Sequence, residues 1–220
     1  MRIELPSGTS AETVRPPETP SRGVVLLPDI MGLRPLFDEL VAGLASDHGW
    51  AVIAPEPFPE RESVPVPERL ATMAAYDHHR QVADALAAAN VLGVEPVAVA
   101  GFCMGGMGAL RAMGTGRFDK AVSFYGMIRL PEAWSGGTDA IDDLLAEPGA
   151  AANVLAIIGG ADSFTPVAHV GELEAAGATV VVYEGAEHGF VHDPNRPTHR
   201  ADDAADAWRR LAEWLDVPDF

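Results

Sequence analysis

Residues 101–106, Gly-Phe-Cys-Met-Gly-Gly, carry the only cysteine of the 220-residue chain. They follow the apolar run 94–100, which predicts a buried strand, and precede residues 107–113, which lack β-branched side chains and predict a helix. A nucleophile at the tip of such a turn has a strained backbone, and glycines two residues before and after it avoid collisions. The pattern Gly-x-Cys-x-Gly therefore predicts a nucleophile elbow at Cys103, with a buried structural cysteine as the alternative.

Short apolar runs alternate with segments of helical periodicity along the rest of the chain. This alternation predicts an α/β fold in which a mainly parallel central sheet carries helices on both faces, as a single domain spanning residues 1–220. Residues 2–22 predict an edge hairpin, and the proline-rich segment 55–67 predicts an irregular loop. The other predicted strands are 23–27, 50–54, 120–125, 153–158 and 179–183, and the predicted helices are 36–47, 68–92, 139–145, 167–176 and 201–215. Within the helix 68–92, the charged residues 77–80 are interpreted as a solvated face.

Two further polar residues follow predicted strands. Asp162 comes after the strand 153–158, and His188 comes after the strand 179–183. The carboxyl ends of parallel strands share one edge of the sheet, so we expect both side chains near Cys103. The order nucleophile, acid, histidine is that of an α/β-hydrolase triad, in which Cys103 attacks a carbonyl, His188 moves the proton and Asp162 orients the imidazole. Taken singly, Asp162 could cap a helix and His188 could be an ordinary loop histidine.

The composition excludes several other functions. A net charge of −17 argues against nucleic acid and anionic membranes as partners, and no stretch is apolar enough to span a bilayer. A single cysteine excludes an internal disulfide framework and fits a reducing cytoplasm, where we expect the protein. No metal-ligand spacing, phosphate-binding loop or dinucleotide fingerprint is evident, so no cofactor is expected. Oligomeric state is not readable, and a monomer or a homodimer is expected.

Several short motifs lie at the ends of the predicted strands. In these motifs the chain resembles the dienelactone hydrolases, and the resemblance extends over nearly its whole length. The resemblance implies a cofactor-free hydrolase that acts on an enol-lactone or related ester through a cysteine acyl-enzyme, with the backbone amides of Ile30 and Met104 as the oxyanion hole. The motifs are Leu-Pro-Asp-Ile-Met-Gly at 27–32, Ala-Pro-Glu-Pro-Phe at 54–58, the elbow at 101–106, Phe-Tyr-Gly at 124–126, Gly-Gly-Ala-Asp at 159–162, Glu-His-Gly-Phe at 187–190 and Trp208.

Asp29 occupies a position where the family often has a glutamate that contacts the cysteine and restrains it until substrate arrives. Asp29 is shorter by one methylene, so its contact with Cys103 is expected to be looser or mediated by water. If that contact exists, the carboxylate disfavours the thiolate. The alternative interpretation is an aspartate that stabilises its own turn through backbone N–H groups.

The resemblance also implies arginines that hold a substrate carboxylate. One of them matches His192 in this chain, with Arg196 a few residues beyond. The candidates for substrate contacts are therefore Arg61, Arg69, Tyr125, Phe190, His192 and Arg196. The replacement of a family arginine by His192 favours a second hypothesis, an esterase or thioesterase that acts on an uncharged substrate. A third hypothesis is a catalytically silent α/β-hydrolase fold that only binds ligands.

Overall fold

A computed structural model describes residues 1–134 and 137–216, and its strands form one eight-stranded sheet. The strands are β1 (Arg2–Glu4), β2 (Ser10–Val14), β3 (Gly23–Leu27), β4 (Ala51–Pro55), β5 (Val97–Phe102), β6 (Ala121–Phe124), β7 (Val154–Gly159) and β8 (Thr179–Tyr183). Their order is β1-β2-β4-β3-β5-β6-β7-β8, with β1–β2 and β2–β4 antiparallel and all other pairs parallel. The predicted edge hairpin and mainly parallel sheet are confirmed.

The helices lie mostly where periodicity predicts them, with ends shifted by one or two residues. Among the described residues, no helix has both the length and the apolar composition needed to cross a membrane. The helices are α1 (Pro35–His48), α2 (Val66–Ala71), α3 (His78–Leu92), α4 (Met104–Met113), α5 (Ala140–Leu144), α6 (Val167–Ala175) and α7 (Ala201–Asp216), with short 3₁₀ helices at Met73–Ala75, Glu132–Trp134 and Ala150–Asn153.

The prediction of a single helix over 68–92 is wrong, because the helical conformation is interrupted between the end of α2 and the start of α3. Asp77 is the N-cap of α3, and its carboxylate accepts a hydrogen bond from the Arg80 backbone N–H at 2.9 Å. An aspartate that bonds a backbone N–H in this way favours a helix start over a helix interior. The charged segment that looked like one continuous face is therefore a helix terminus.

The prediction of a solvated face at 77–80 is also wrong for one residue, since His78 is buried. The residue before the cap, Tyr76, has an extended backbone, and its hydroxyl donates to the carbonyl of Pro57 at 3.1 Å. This hydrogen bond connects the segment between α2 and α3 to the proline-rich loop after β4.

Alternate residues at the end of β5 face opposite helical layers. The ring of Phe102 lies 6.1 Å from Phe37 of α1 and 5.6 Å from Trp208 of α7, so these two helices share one face. Gly101 faces α4 on the other side, where a Cβ would lie 2.2 Å from the Gly105 carbonyl oxygen. The sheet is thus covered on both faces, and the start of α4 touches its strands.

We expect Gly105→Ala to destabilise the fold. A Cβ at this position would lie 2.1 Å from the Leu27 carbonyl oxygen, and backbone cannot yield as a flexible side chain can. Overpacking of this kind costs about 1–3 kcal/mol or more. The measurement is urea unfolding followed by tryptophan fluorescence.

Gly43→Ala is the matched control, because Gly43 lies inside α1 with nothing within 4 Å of the new Cβ. Alanine there should stabilise the helix by up to about 1 kcal/mol. Equal effects of the two alanines on the free energy of unfolding would show that α4 does not abut β3 closely.

Candidate active site

Cys103 sits between β5 and α4 with a left-handed backbone, φ 58° and ψ −120°. Its N–H donates to the Phe124 carbonyl at 3.0 Å, and its carbonyl accepts from the Met107 N–H at 3.0 Å. Positive φ is costly for a residue with a Cβ and persists only where the surroundings enforce it. Cys103 is 9% exposed, so the sulfur is more enclosed than an outward-facing turn suggests. The predicted elbow geometry is present.

His188 and Asp162 meet at the same edge of the sheet. The His188 Nδ1 lies 2.7 Å from Asp162 Oδ2, and the Asp162 side chain is fully buried. Because a carboxylate only accepts hydrogen bonds, Nδ1 carries the proton and Nε2 is left for another partner. The other oxygen of Asp162 accepts from the Phe164 N–H at 2.8 Å. Asp162 therefore fixes both its own turn and the orientation of the imidazole.

The Cys103 sulfur is the other close neighbour of the His188 imidazole. Burial opposes the charged imidazole, but the charge and hydrogen bond of Cys103, together with Asp162, raise the pKa of His188 to about 10. The imidazole is thus held in its charged form at neutral pH, between a sulfur and a carboxylate. A thiolate paired with an imidazolium is a strong nucleophile beside a ready proton donor.

Asp29 is buried in a polar cluster instead of standing free beside the sulfur. Arg34 binds it with two hydrogen bonds, at 2.8 and 3.1 Å, and the His192 Nε2 lies 2.9 Å from it. The Met31 N–H donates to it at 3.0 Å, and Arg196 lies 3.5 Å away. These partners occupy both carboxylate oxygens, and the bond to Met31 is the one expected of a turn-stabilising aspartate. A restraint of Asp29 on Cys103 stays a prediction.

The protonation of this cluster follows from its contacts. Burial alone would raise the pKa of Asp29, but the hydrogen bonds and charges of His192 and Arg34 hold it well below its ordinary value. Burial lowers the pKa of His192 despite the opposing pull of Asp29. The imidazole is therefore neutral, with Nε2 donating to Asp29 and Nδ1 accepting from the Tyr125 hydroxyl.

Tyr125 links the cluster to the histidine beside the sulfur. It follows β6 with a φ of 40°, and its ring meets the His188 ring edge-on at 5.1 Å. On the other side, the His192 ring stacks on Phe102 at 4.4 Å. We name the set Asp29, Arg34, Tyr125, His192 and Arg196 the Asp29 network. It adjoins both the elbow and His188.

The start of α4, which carries one predicted oxyanion donor, lies against the end of β3, whose following loop carries the other. Met104 is the first residue of α4, next to the glycine that touches the Leu27 carbonyl. Ile30 follows in the loop after β3, and its carbonyl accepts from Arg69 Nη1 at 2.9 Å. The roles of the Ile30 and Met104 amides remain proposals, which this closeness supports.

Arg69 is a structural residue in this arrangement. It is 3% exposed, and besides the Ile30 carbonyl it binds those of Val64 at 2.9 Å and Glu62 at 2.6 Å. Its guanidinium also lies 4.8 Å from the Phe58 ring centroid. These bonds fix the proline-rich loop against the loop after β3 and leave Arg69 poorly placed to hold a substrate.

The other predicted substrate residues differ in accessibility. Arg61 is exposed and donates to the Thr72 hydroxyl at 3.1 Å. Phe190 is fully buried against Tyr125 and Tyr183, which suits a packing role. Arg196 is half-buried beside the catalytic edge, so it is the candidate best placed to meet a ligand.

Sequence reasoning did not single out Arg34 or Phe164. Arg34 lies in the same loop as Asp29, five residues on, and its positive charge so close to a buried aspartate was the available signal. Phe164 is 43% exposed, and its ring lies 4.9 Å from that of His188. An aromatic two residues after a predicted acid carries no distinct pattern. Within residues 1–134 and 137–216, no group of three or more His, Cys, Asp or Glu side chains is arranged to hold a metal.

The sheet order, the elbow and the Asp162–His188 pair at one sheet edge define an α/β-hydrolase fold. The family model described as the dienelactone hydrolase family matches residues 10–217, so the chain belongs to that family. It is a carboxylic ester hydrolase of the dienelactone hydrolase type.

Individual relatives are distant. A carboxymethylenebutenolidase of Rhodococcus opacus is 27% identical over 208 residues, which cover 88% of this chain and 80% of that protein. A Methylorubrum extorquens protein assigned as a carboxymethylenebutenolidase is 44% identical over 70 residues, only 29% of this chain and 24% of that protein. The crystal structure of a Klebsiella pneumoniae protein assigned to the dienelactone hydrolases superposes with a TM-score of 0.85 at 22% identity, over 99% and 98% of the two chains. That likeness shows the shared fold.

The Asp29 network predicts an acid-dependent stability. The pKa of Asp29 lies below its ordinary 3.8 in the folded chain, so its contribution is complete above that pH and is lost as pH falls towards the folded pKa. Asp29→Asn should cost about 3–5 kcal/mol near neutrality, because it leaves two partly buried arginines without their carboxylate. The difference between the two proteins should shrink below about pH 4.

The measurement is urea unfolding of both proteins between neutral and acid pH. Asp38→Asn is the control, since Asp38 and its partner Arg2 are both nearly half exposed, and it should cost less than about 1 kcal/mol. A wild-type-to-Asp29→Asn difference that does not vary with pH would show that Asp29 is not ionised in the fold.

Proposed function

We propose that Cys103, His188 and Asp162 form the catalytic triad of a hydrolase that cleaves a small ester or lactone through a cysteine acyl-enzyme. The observation that carries the proposal is the hydrogen bond that His188 Nδ1 donates to Asp162 Oδ2 over 2.7 Å, on an imidazole whose other close neighbour is the Cys103 sulfur. A protein that only binds ligands has no need of a nucleophile, a proton carrier and an orienting acid at one sheet edge. The silent-fold hypothesis is therefore disfavoured.

Acylation begins with attack of the Cys103 sulfur on the substrate carbonyl carbon. The carbonyl oxygen becomes an oxyanion, to which we assign the backbone amides of Met104 and Ile30 as hydrogen-bond donors. The bond to the leaving oxygen then breaks, and His188 Nε2–H gives that oxygen its proton. The products of this step are an alcohol, or the opened chain of a lactone, and a thioester on Cys103.

Deacylation reverses the proton flow. Water attacks the thioester while the neutral His188 takes its proton, and the carbon–sulfur bond breaks to release the acid. The thiolate and imidazolium re-form as a pair, with Asp162 stabilising the charged ring. The steps need only these side chains, two backbone amides and water. A cytoplasmic monomer or homodimer that binds neither nucleic acid nor membrane remains our proposal for its setting.

The start of α4 contributes to the same chemistry. Its free N–H groups and positive dipole end point towards the residue that precedes the helix, which is Cys103. This favours negative charge on the sulfur before attack and on the oxyanion during it. The elbow therefore determines the position of the Cys103 sulfur, and the helix that follows it supplies part of the electric field that favours negative charge there.

Cys103→Ala and His188→Gln should each lower kcat/KM for an aryl ester by about 10³-fold or more, because each removes a group whose bond or proton is needed in the transition state. The measurement is initial-rate hydrolysis of a 4-nitrophenyl ester, with folding checked by circular dichroism. His79→Gln is the control for the histidine, since His79 is exposed on α3 and should keep full activity. Wild-type turnover in Cys103→Ala would refute the mechanism.

A further inference from the structure

The charges beside the proposed triad bear on the substrate that it accepts. Resting on the proposed function, we infer that the acyl part of the substrate is uncharged, because the two arginines of the Asp29 network are already balanced by Asp29 and the neighbouring Asp193. This names a substrate class within the esters and lactones.

The balance follows from the ion pairs. Arg34 binds Asp29 and lies 3.8 Å from Asp193, while Arg196 lies 3.5 Å from Asp29. Two guanidinium groups thus face two carboxylates. The His192 side chain is fully buried, with one ring nitrogen on Asp29 and the other on Tyr125, and it adds no charge. Once Asp193 is counted with the Asp29 network, no surplus cation is left for a substrate carboxylate.

Arg196 is the arginine that a substrate anion would meet first. Its guanidinium covers Gly189, the residue after His188, where any Cβ would collide with Nη1. To bind a substrate carboxylate there, Arg196 would have to leave Asp29, and the incoming anion would lie close to Asp29 itself. Like charges in a poorly solvated site repel, so the exchange is unfavourable.

The other candidate cations do not restore the missing charge. Arg69 is buried with its N–H groups on backbone carbonyls, and Arg61 is exposed and bonded to Thr72. At longer range the net charge of −17 repels anions, though salt screens this within about 8–10 Å. Neither of these two arginines nor the net charge of the chain favours binding of a carboxylate.

An apolar surface next to His188 offers a different contact. The Phe164 ring is 43% exposed and lies 4.9 Å from His188 and 6.5 Å from Trp134. An exposed aromatic side chain at a reaction centre gains free energy by covering an apolar group. This second observation is independent of the ion pairs and points to the same substrate class.

The test compares 4-nitrophenyl butyrate with 4-nitrophenyl hemisuccinate, in which a carboxylate replaces the terminal methyl group. We expect wild-type kcat/KM to favour the butyrate by about 100-fold, the discrimination typical of an unpaired charge in a desolvated site. Asp29→Asn removes one negative charge and should narrow the preference by about tenfold, since it leaves one arginine in excess. Asp38→Asn, at its exposed ion pair, should leave the preference unchanged.

Equal or faster cleavage of the hemisuccinate by the wild type would overturn the inference. The proposed function would stand in that case, provided that Cys103→Ala is inactive on both esters. Activity of Cys103→Ala on both esters would instead refute the proposed function. If Asp29→Asn does not fold, the wild-type preference decides alone, and an unchanged preference in a folded Asp29→Asn would contradict the role of the network.

Discussion

The backbone of α4 approaches the ends of β3 and β5 so closely that no side chain fits at Gly101 or Gly105. Cys103 lies between these two glycines, where its backbone has a positive φ of 58°. The close approach of α4 brings the first amide of the helix beside the loop after β3. The proposed nucleophile, the positive end of the helix dipole and the proposed oxyanion donors therefore all lie beside one contact between backbones.

A second constraint is the burial of charge around that elbow. His188 is held between a sulfur and a buried carboxylate, and Asp29 is held by Arg34, His192 and Arg196. Both carboxylates are paired, as buried charges must be. The two carboxylates have different partners. Asp162 binds His188, which neighbours the Cys103 sulfur, whereas Asp29 binds only other members of the Asp29 network and its own turn. We propose that the Asp162–His188 pair supports proton transfer and that the Asp29 network selects against charged substrates.

Sequence patterns predicted the sheet, the elbow and the places of Cys103, Asp162 and His188 after strands, because each of the three follows a short run of apolar, mostly β-branched or small residues. They failed at residues 68–92, where alanine-rich periodicity continued through a break that depends on the Asp77 cap. They also could not show that Asp29 turns towards Arg34 and His192, since His192 lies far along the chain and the contact exists only in the fold. Local signals identify elements and chemistry, whereas pairing of buried charges is a tertiary property.

If hydrolysis passes through a thioester on Cys103, the acyl-enzyme can be detected by intact-protein mass spectrometry of enzyme that is acid-quenched early in the turnover of an aryl ester. Because Cys103 is the chain's only cysteine, a thioester can form at one place alone. The account predicts a mass increase equal to one acyl group, released by hydroxylamine at neutral pH and absent from Cys103→Ala. Turnover with no acyl adduct at any quench time, or the same adduct in Cys103→Ala, would contradict it.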